Sequence, residues 1–175
     1  MTSFAIRPAT AADIPAITEI YAHAVNFGTA SFELEPPVQD EMLARWQALA
    51  GGNFPYLVAD ADGMIAGYAY AGPYRTRPAY RFTVEDSVYV NPQAHRQGVG
   101  RTLLDRLIVE SEKRGFRQMI AVIGDSAQTP SIELHRAAGF RMIGTIENVG
   151  YKFGRWLDSV LMQRRVGAGS TTLPA

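Results

Sequence analysis

The stretch TVEDSVYVNPQAHRQGVGRTLLDRLIVESEKR, Thr83 to Arg114, decides the fold. It reads as strand, turn, glycine-rich loop and helix. Thr83 to Val90 is rich in β-branched and aromatic residues, Asn91-Pro92 marks a turn, and Val99, Leu103, Leu104, Leu107 and Ile108 then recur at helical spacing. Gly115 supplies a residue suited to the left-handed backbone that commonly closes a helix. Gly98 and Gly100 therefore fall where the helix begins, so bare main-chain N–H groups and the positive end of the helix dipole meet there and favour an anion. Arg96 and Arg101 flank the place.

Missing residues narrow the choice of anion. The chain has no G-x-x-x-x-G-K-S/T run of the kind that cradles nucleoside triphosphates, and Leu103 occupies the third glycine of G-x-G-x-x-G. Spacing alone leaves two readings open, an anion cradle or a tight strand-to-helix turn with no ligand.

Composition sets outer bounds. A chain of 175 residues with 47% hydrophobic content can bury one sizeable core, and no Pro/Gly/Ser-rich linker divides it. A single domain is expected over residues 1–166, followed by a frayed tail, GAGSTTLPA, from Gly167 to Ala175. Zero formal net charge argues against nucleic acid or an anionic membrane as the main partner, although arginines gather at Arg75, Arg77 and Arg81 and again at Arg96 and Arg101. Without cysteine there is no disulfide, thiol nucleophile or thiolate metal site. His23, His95 and His135 lie far apart and lack metal-ligand spacing, so no metal is expected. The start, MTSFAIRPAT, lacks a signal-peptide core, and no apolar run approaches the ~18 residues of a membrane span. A soluble cytoplasmic protein is the expectation.

Strands and helices alternate along the rest of the chain. Phe4 to Arg7 reads as a first strand, Thr10 to Asp13 as a capping box, and Ile14, Ile17, Ile20, Tyr21 and Ala24 as a buried helical face. Asn26 to Pro37 loses that period and carries Phe27 and Phe32 among small and acidic residues. Gln39 to Leu49 reads as a second helix, ended by Gly51-Gly52, and Tyr56–Ala59 and Met64–Ala71 as antiparallel strands joined by a turn at Asp60–Gly63. Gln118 to Ile123 is an apolar run suited to a strand buried on both faces. A short helix over Ser131–Ala138 and strands over Phe140–Glu147 and Trp156–Gln163 complete an α/β (α+β) pattern, a sheet covered by helices.

HRQGVG, His95 to Gly100, resembles the acetyl-CoA pyrophosphate loop of the GNAT acetyltransferase family. There, a Gln or Arg is followed, after two residues, by Gly, one residue, and Gly or Ala. His95 stands in the Gln/Arg slot, a departure that a main-chain cradle tolerates. The segments Tyr70–Val90, Ala121–Phe140 and Gly150–Gln163 extend the resemblance over nearly the whole chain. Within the family they are most similar to phosphinothricin and methionine sulfone/sulfoximine N-acetyltransferases. The resemblance implies a GNAT fold, a mixed central sheet with splayed central strands flanked by helices. It also implies acetyl-CoA as co-substrate, a small amino-acid-like acceptor and a homodimer.

Acetyl transfer to an amine needs a carboxylate to take the amine's proton as attack proceeds. Glu85, in TVEDSVYV, matches the family's catalytic-base position; otherwise it is a solvent-facing or arginine-paired glutamate. Asp86 is the alternative base, but on a regular strand it points to the opposite face. By resemblance, Val88, Tyr89 and Val90 hold the pantetheine arm through main-chain groups. Arg96, Gln97, Gly98, Val99, Gly100 and Arg101 form the pyrophosphate cradle, and Gln128 and Ser131 face the pantetheine amides. His135 is either the proton donor to the departing thiolate or a satisfied helix histidine. Arg75, Thr76 and Arg77 suit an acceptor's carboxylate, phosphinate or sulfonyl oxygens, with Glu85, Asp86 and Ser87 completing the acceptor site; a solvated basic loop is the alternative. Phe32 either pins its loop or touches the acceptor, while Tyr151, Lys152 and Arg155 close the same pocket or form a dimer contact. A CoA-binding sensor without turnover and a peptide or protein amine acceptor are the rival readings.

Overall fold

The computed structural model describes residues 4–174; the first three residues of MTSFAIRPAT and Ala175 of the expected tail lie outside them. Seven strands form one sheet in the order β1-β2-β3-β4-β5-β7-β6. They are β1 Ala5–Pro8, β2 Tyr56–Ala61, β3 Met64–Pro73, β4 Thr83–Val90, β5 Gln118–Gly124, β6 Arg141–Lys152 and β7 Arg155–Arg165. The helices are α1 Ile14–Phe27, α2 Gln39–Gly51, α3 Val99–Lys113 and α4 Thr129–Ala137. Only β4 and β5 run parallel, joined by α3; the other neighbours are antiparallel.

Strand alternation sends two sets of side chains to two cores. On one face Ala69, Ala71, Val84, Met119 and Ala121 meet Leu103, Leu104 and Leu107 of α3. These three leucines are wholly excluded from water, and at about 1.5–3 kcal/mol each they fix the helix, and with it Gly98, against the sheet. On the other face Tyr56, Val58 and Tyr68 meet Ile17, Val25 and Met42 of α1 and α2. Both tight hairpins turn on two consecutive left-handed residues, Asp62-Gly63 and Phe153-Gly154. That geometry matches the twist of paired strands.

Several boundaries differ from those read off the sequence. Val25, rather than Ala24, completes the buried face of α1. The β2–β3 turn is tighter than expected, because Ala61 pairs directly with Met64. β5 is not buried on both faces: its pattern alternates and Val122 is 39% exposed, because the sheet opens beside it. The tail expected to fray lies against Arg117, whose guanidinium donates to the Gly169 and Leu173 carbonyls and to Thr172 Oγ1.

Candidate active site

The sheet opens between its two parallel strands. β4 pairs with β5 from Thr83 opposite Gln118 to Asp86 opposite Ala121, and there the pairing stops. β4 stays with β3 as far as Val90, and β5 stays with β7 as far as Gly124. Ser87–Val90 and Val122–Gly124 therefore diverge, and main-chain groups along the cleft are left without a strand partner. A cavity of about 60 Å³ lies in the cleft, lined by Asp86 to Tyr89, Ala121 to Gly124, and Ala30, Gln128, Ser131 and His135.

At the upper end of the cleft the chain turns into α3. Gly98 is the residue before the helix, at φ 80°, and its side-chain-free position leaves the first amides of α3 uncapped. Arg96, too, is left-handed, at φ 62°. His95 Nε2 reaches the Val90 carbonyl at 3.3 Å, so it braces the loop from behind rather than entering it. Gln97 and Arg101 are exposed, Arg101 paired with Asp105 one turn on at 2.7 Å. An anionic head at α3 and an extended, amide-bearing tail in the splay would suit these features.

Alternation along β4 separates the two carboxylates. Glu85, with Ser87 and Tyr89, is on the face covered by α1 and α2; Gly72, Tyr70 and Tyr68 are opposite them in register. Glu85 is half-buried, and burial, helped by the neighbouring Asp86 charge, raises its pKa above the ordinary carboxylate value. Asp86 is on the other face, buried against α4, where Oδ2 lies 2.8 Å from His135 Nε2. His135 Nδ1–H donates to the Ser131 carbonyl at 2.7 Å. Burial lowers the His135 pKa, but the hydrogen bond and charge of Asp86 outweigh it and the net shift is upward. The two carboxylates oppose each other as the strand period predicts, and this corrects the placing of Asp86 in the acceptor site. Of the two readings of His135 the satisfied helix histidine holds, because neither ring nitrogen is spare to offer a sulfur.

Other expected residues spread over two regions. Arg75, Thr76 and Arg77 sit on an exposed loop beyond β3 and bound a separate surface pocket with Phe54 and Tyr80. The Arg75 guanidinium lies over Tyr74, 5.2 Å from the ring centre. Phe32 is wedged over two strands: a β-carbon at Gly124 would come 2.8 Å from its ring, and one at Gly150 would also collide with it. The ring is 38% exposed beside the open end of the cleft. The Gln128 side-chain amide donates one of its two N–H groups to Thr29 Oγ1 at 3.0 Å.

A network that the sequence did not reveal ties the Asn26–Pro37 loop to the strand ends. Thr29 Oγ1 and Arg155 both donate to Asp125 Oδ2, at 3.1 and 2.8 Å. Burial raises the Asp125 pKa, and these donors, with the Ala127 amide, bring it below the usual carboxylate value. Lys152 Nζ donates to the Ser31 carbonyl at 2.8 Å, and Ser31 Oγ meets Tyr21 OH at 2.9 Å. Lys152 and Arg155 thus tie the β6–β7 hairpin to the Asn26–Pro37 loop and to the end of β5, whereas Tyr151 lies exposed beside Trp156.

Comparison with known proteins agrees with this geometry. The chain is 58% identical over 162 residues to a phosphinothricin N-acetyltransferase of Alcaligenes faecalis, covering 93% of this chain and 82% of that one. It is 43% identical over 158 residues to an L-methionine sulfoximine/L-methionine sulfone acetyltransferase of Salmonella typhimurium, covering 90% and 92%. Among solved structures, a Sinorhizobium meliloti phosphinothricin acetyltransferase in complex with acetyl-CoA superposes with a TM-score of 0.96 at 48% identity, over 100% of this chain and 94% of that one. The model of the acetyltransferase (GNAT) domain matches residues 6–161, and the chain belongs to the GNAT acetyltransferase family.

Proposed function

We propose that this protein transfers an acetyl group from acetyl-CoA to the α-amine of a small amino-acid-like acceptor of the phosphinothricin, methionine sulfoximine or methionine sulfone type, with Glu85 as general base. The observation that carries the reading is a half-buried carboxylate with a raised pKa on the strand that borders the splay. The names of the similar proteins support the acceptor class.

Acetyl-CoA would supply a thioester whose C–S bond breaks as the amide C–N bond forms, CoA leaving as the thiolate. The amides of Val99, Gly100 and Arg101 bind its pyrophosphate, with Arg96 and Gln97 beside them. Main-chain groups of Val88, Tyr89 and Val90 hold the arm, and Ser131 and Gln128 border it. From the opposite face Glu85 takes the proton that the amine loses, a task for which a raised pKa suits it. Arg75 and Arg77 draw the acceptor's acidic head toward the β3 end, and Phe32 covers the cleft's open side. The apolar side chains exposed on β6 and β7, among them Ile146, Val149, Tyr151 and Trp156, form a homodimer face.

The test is acetyl-CoA-dependent thiol release with methionine sulfone, methionine sulfoximine and phosphinothricin, alongside Arg75→Gln. Release with these acceptors, at a raised acceptor KM in the variant, is expected. CoA binding without release from any amine would replace the enzyme by a sensor, and release with peptides alone would replace the acceptor class.

A further inference from the structure

Asp86 stands at the root of the splay as the last β4 residue to pair with β5. Its side chain is 2% exposed and that of His135 6%. The Ser131 carbonyl can only accept, so His135 Nδ1, 2.7 Å away, carries a proton. Nε2 and Asp86 Oδ2, 2.8 Å apart, then need a second proton between them, since two lone pairs would otherwise face each other away from water. Whichever atom holds that proton, the pair has no net charge, the condition under which two ionisable groups tolerate burial. Phe140 packs edge-on against the imidazole, 5.0 Å between ring centres, and shields it on that side.

The other oxygen is differently placed. Asp86 Oδ1 is buried and has no hydrogen-bond partner among the described residues. Buried acceptors are rarely left so, because nothing replaces the water they lose. Asp86, His135 and Ser131 all line the cavity in the splay, where β4 and α4 have no backbone ladder between them.

We propose that Asp86 is a positioning residue for the pantetheine arm: Oδ2 shares a proton with His135 and so ties β4 to α4 across the splay, while Oδ1 accepts a hydrogen bond from an amide N–H of the arm. The inference rests on the acetyl-CoA reading and deepens it. The arm carries two amide N–H donors and a thioester with none, and the amide nearest the sulfur reaches furthest toward the root. A carboxylate oxygen there fixes the depth at which the arm stops. No bond is made or broken by Asp86.

Two ligands separate this role from general damage: CoA, and 3′-phosphoadenosine 5′-diphosphate, which is CoA without the arm. Calorimetric titration of the full chain compares the unmodified protein with Asp86→Ala and Asp86→Asn. Alanine is expected to weaken CoA about tenfold or more, the usual scale for a hydrogen bond to a charged group. The armless nucleotide should stay within about twofold. Asparagine offers an N–H to neutral His135 and keeps an acceptor oxygen, so it restores CoA affinity to within about threefold. In the unmodified protein, the imidazole Nε2–H signal seen by nitrogen-15 NMR should move when CoA binds and stay when the armless nucleotide binds. Unchanged CoA affinity in Asp86→Ala, equal weakening of both ligands, or an Nε2–H signal indifferent to CoA overturns the assignment alone. An unmodified protein that does not bind CoA overturns the acetyl-CoA reading with it.

Discussion

Glu85→Gln separates chemistry from stability. Burial, and secondarily the Asp86 charge, raise the Glu85 pKa in the folded protein. A carboxyl whose folded pKa exceeds its unfolded value, about 4.3, contributes most to stability below that pH, and the contribution is lost as pH rises through the folded value. At pH 7.5 the ionised side chain is therefore held at a cost, and glutamine of the same shape removes it. The melting temperature should stay level or rise. Glutamine cannot take a proton from the amine, so turnover should fall by about 10²–10⁴, equivalent to roughly 2.7–5.4 kcal/mol of barrier. The assay is thiol release at saturating acetyl-CoA with methionine sulfone, with a thermal melt on the same preparation. In the unmodified protein kcat/KM should decline as pH falls through the raised Glu85 pKa, and the variant should lack that limb. CoA affinity should not change, because Glu85 points to the α1/α2 face. Turnover within about threefold of the original would refute the base assignment, and a lower melting temperature would refute the account of a carboxylate held against its preference.

Gly98→Ala has open space for its β-carbon but must hold φ 80°, so it should cost about 1–2 kcal/mol through backbone strain and weaken CoA binding; chemical denaturation and calorimetry read the two effects. Gly150→Ala drives a β-carbon into the Phe32 ring, an overpacking of about 1–3 kcal/mol. It should raise the acceptor KM while CoA affinity holds, and adding Phe32→Ala should recover the lost stability. Leu104→Ala removes a side chain wholly buried between α3 and the sheet and should cost about 2–5 kcal/mol in urea titration. An effect under about 1 kcal/mol would mean that α3 is not anchored as described.

The sequence by itself determined what depends on near neighbours: the strand and helix of Thr83–Arg114, the glycines at the start of that helix, the Thr10–Asp13 capping box, a hairpin turn within Asp60–Gly63, and the opposition of Glu85 to Asp86. Each follows from a local period or from a turn that few residues can make. Local periods do not report what a side chain meets across the sheet. His135 lies 49 residues from Asp86 in sequence, and its pairing depends on strand register and the seat of α4. Likewise, Phe32 is fixed by two distant glycines, Gly124 and Gly150. An apolar run such as Gln118–Ile123 cannot say that one face will be left open, because the opening arises from β4 and β5 parting beyond Asp86 and Ala121. Tertiary structure decided these pairings because each requires segments far apart in the chain to be held at hydrogen-bond distance, and only the assembled sheet sets that distance.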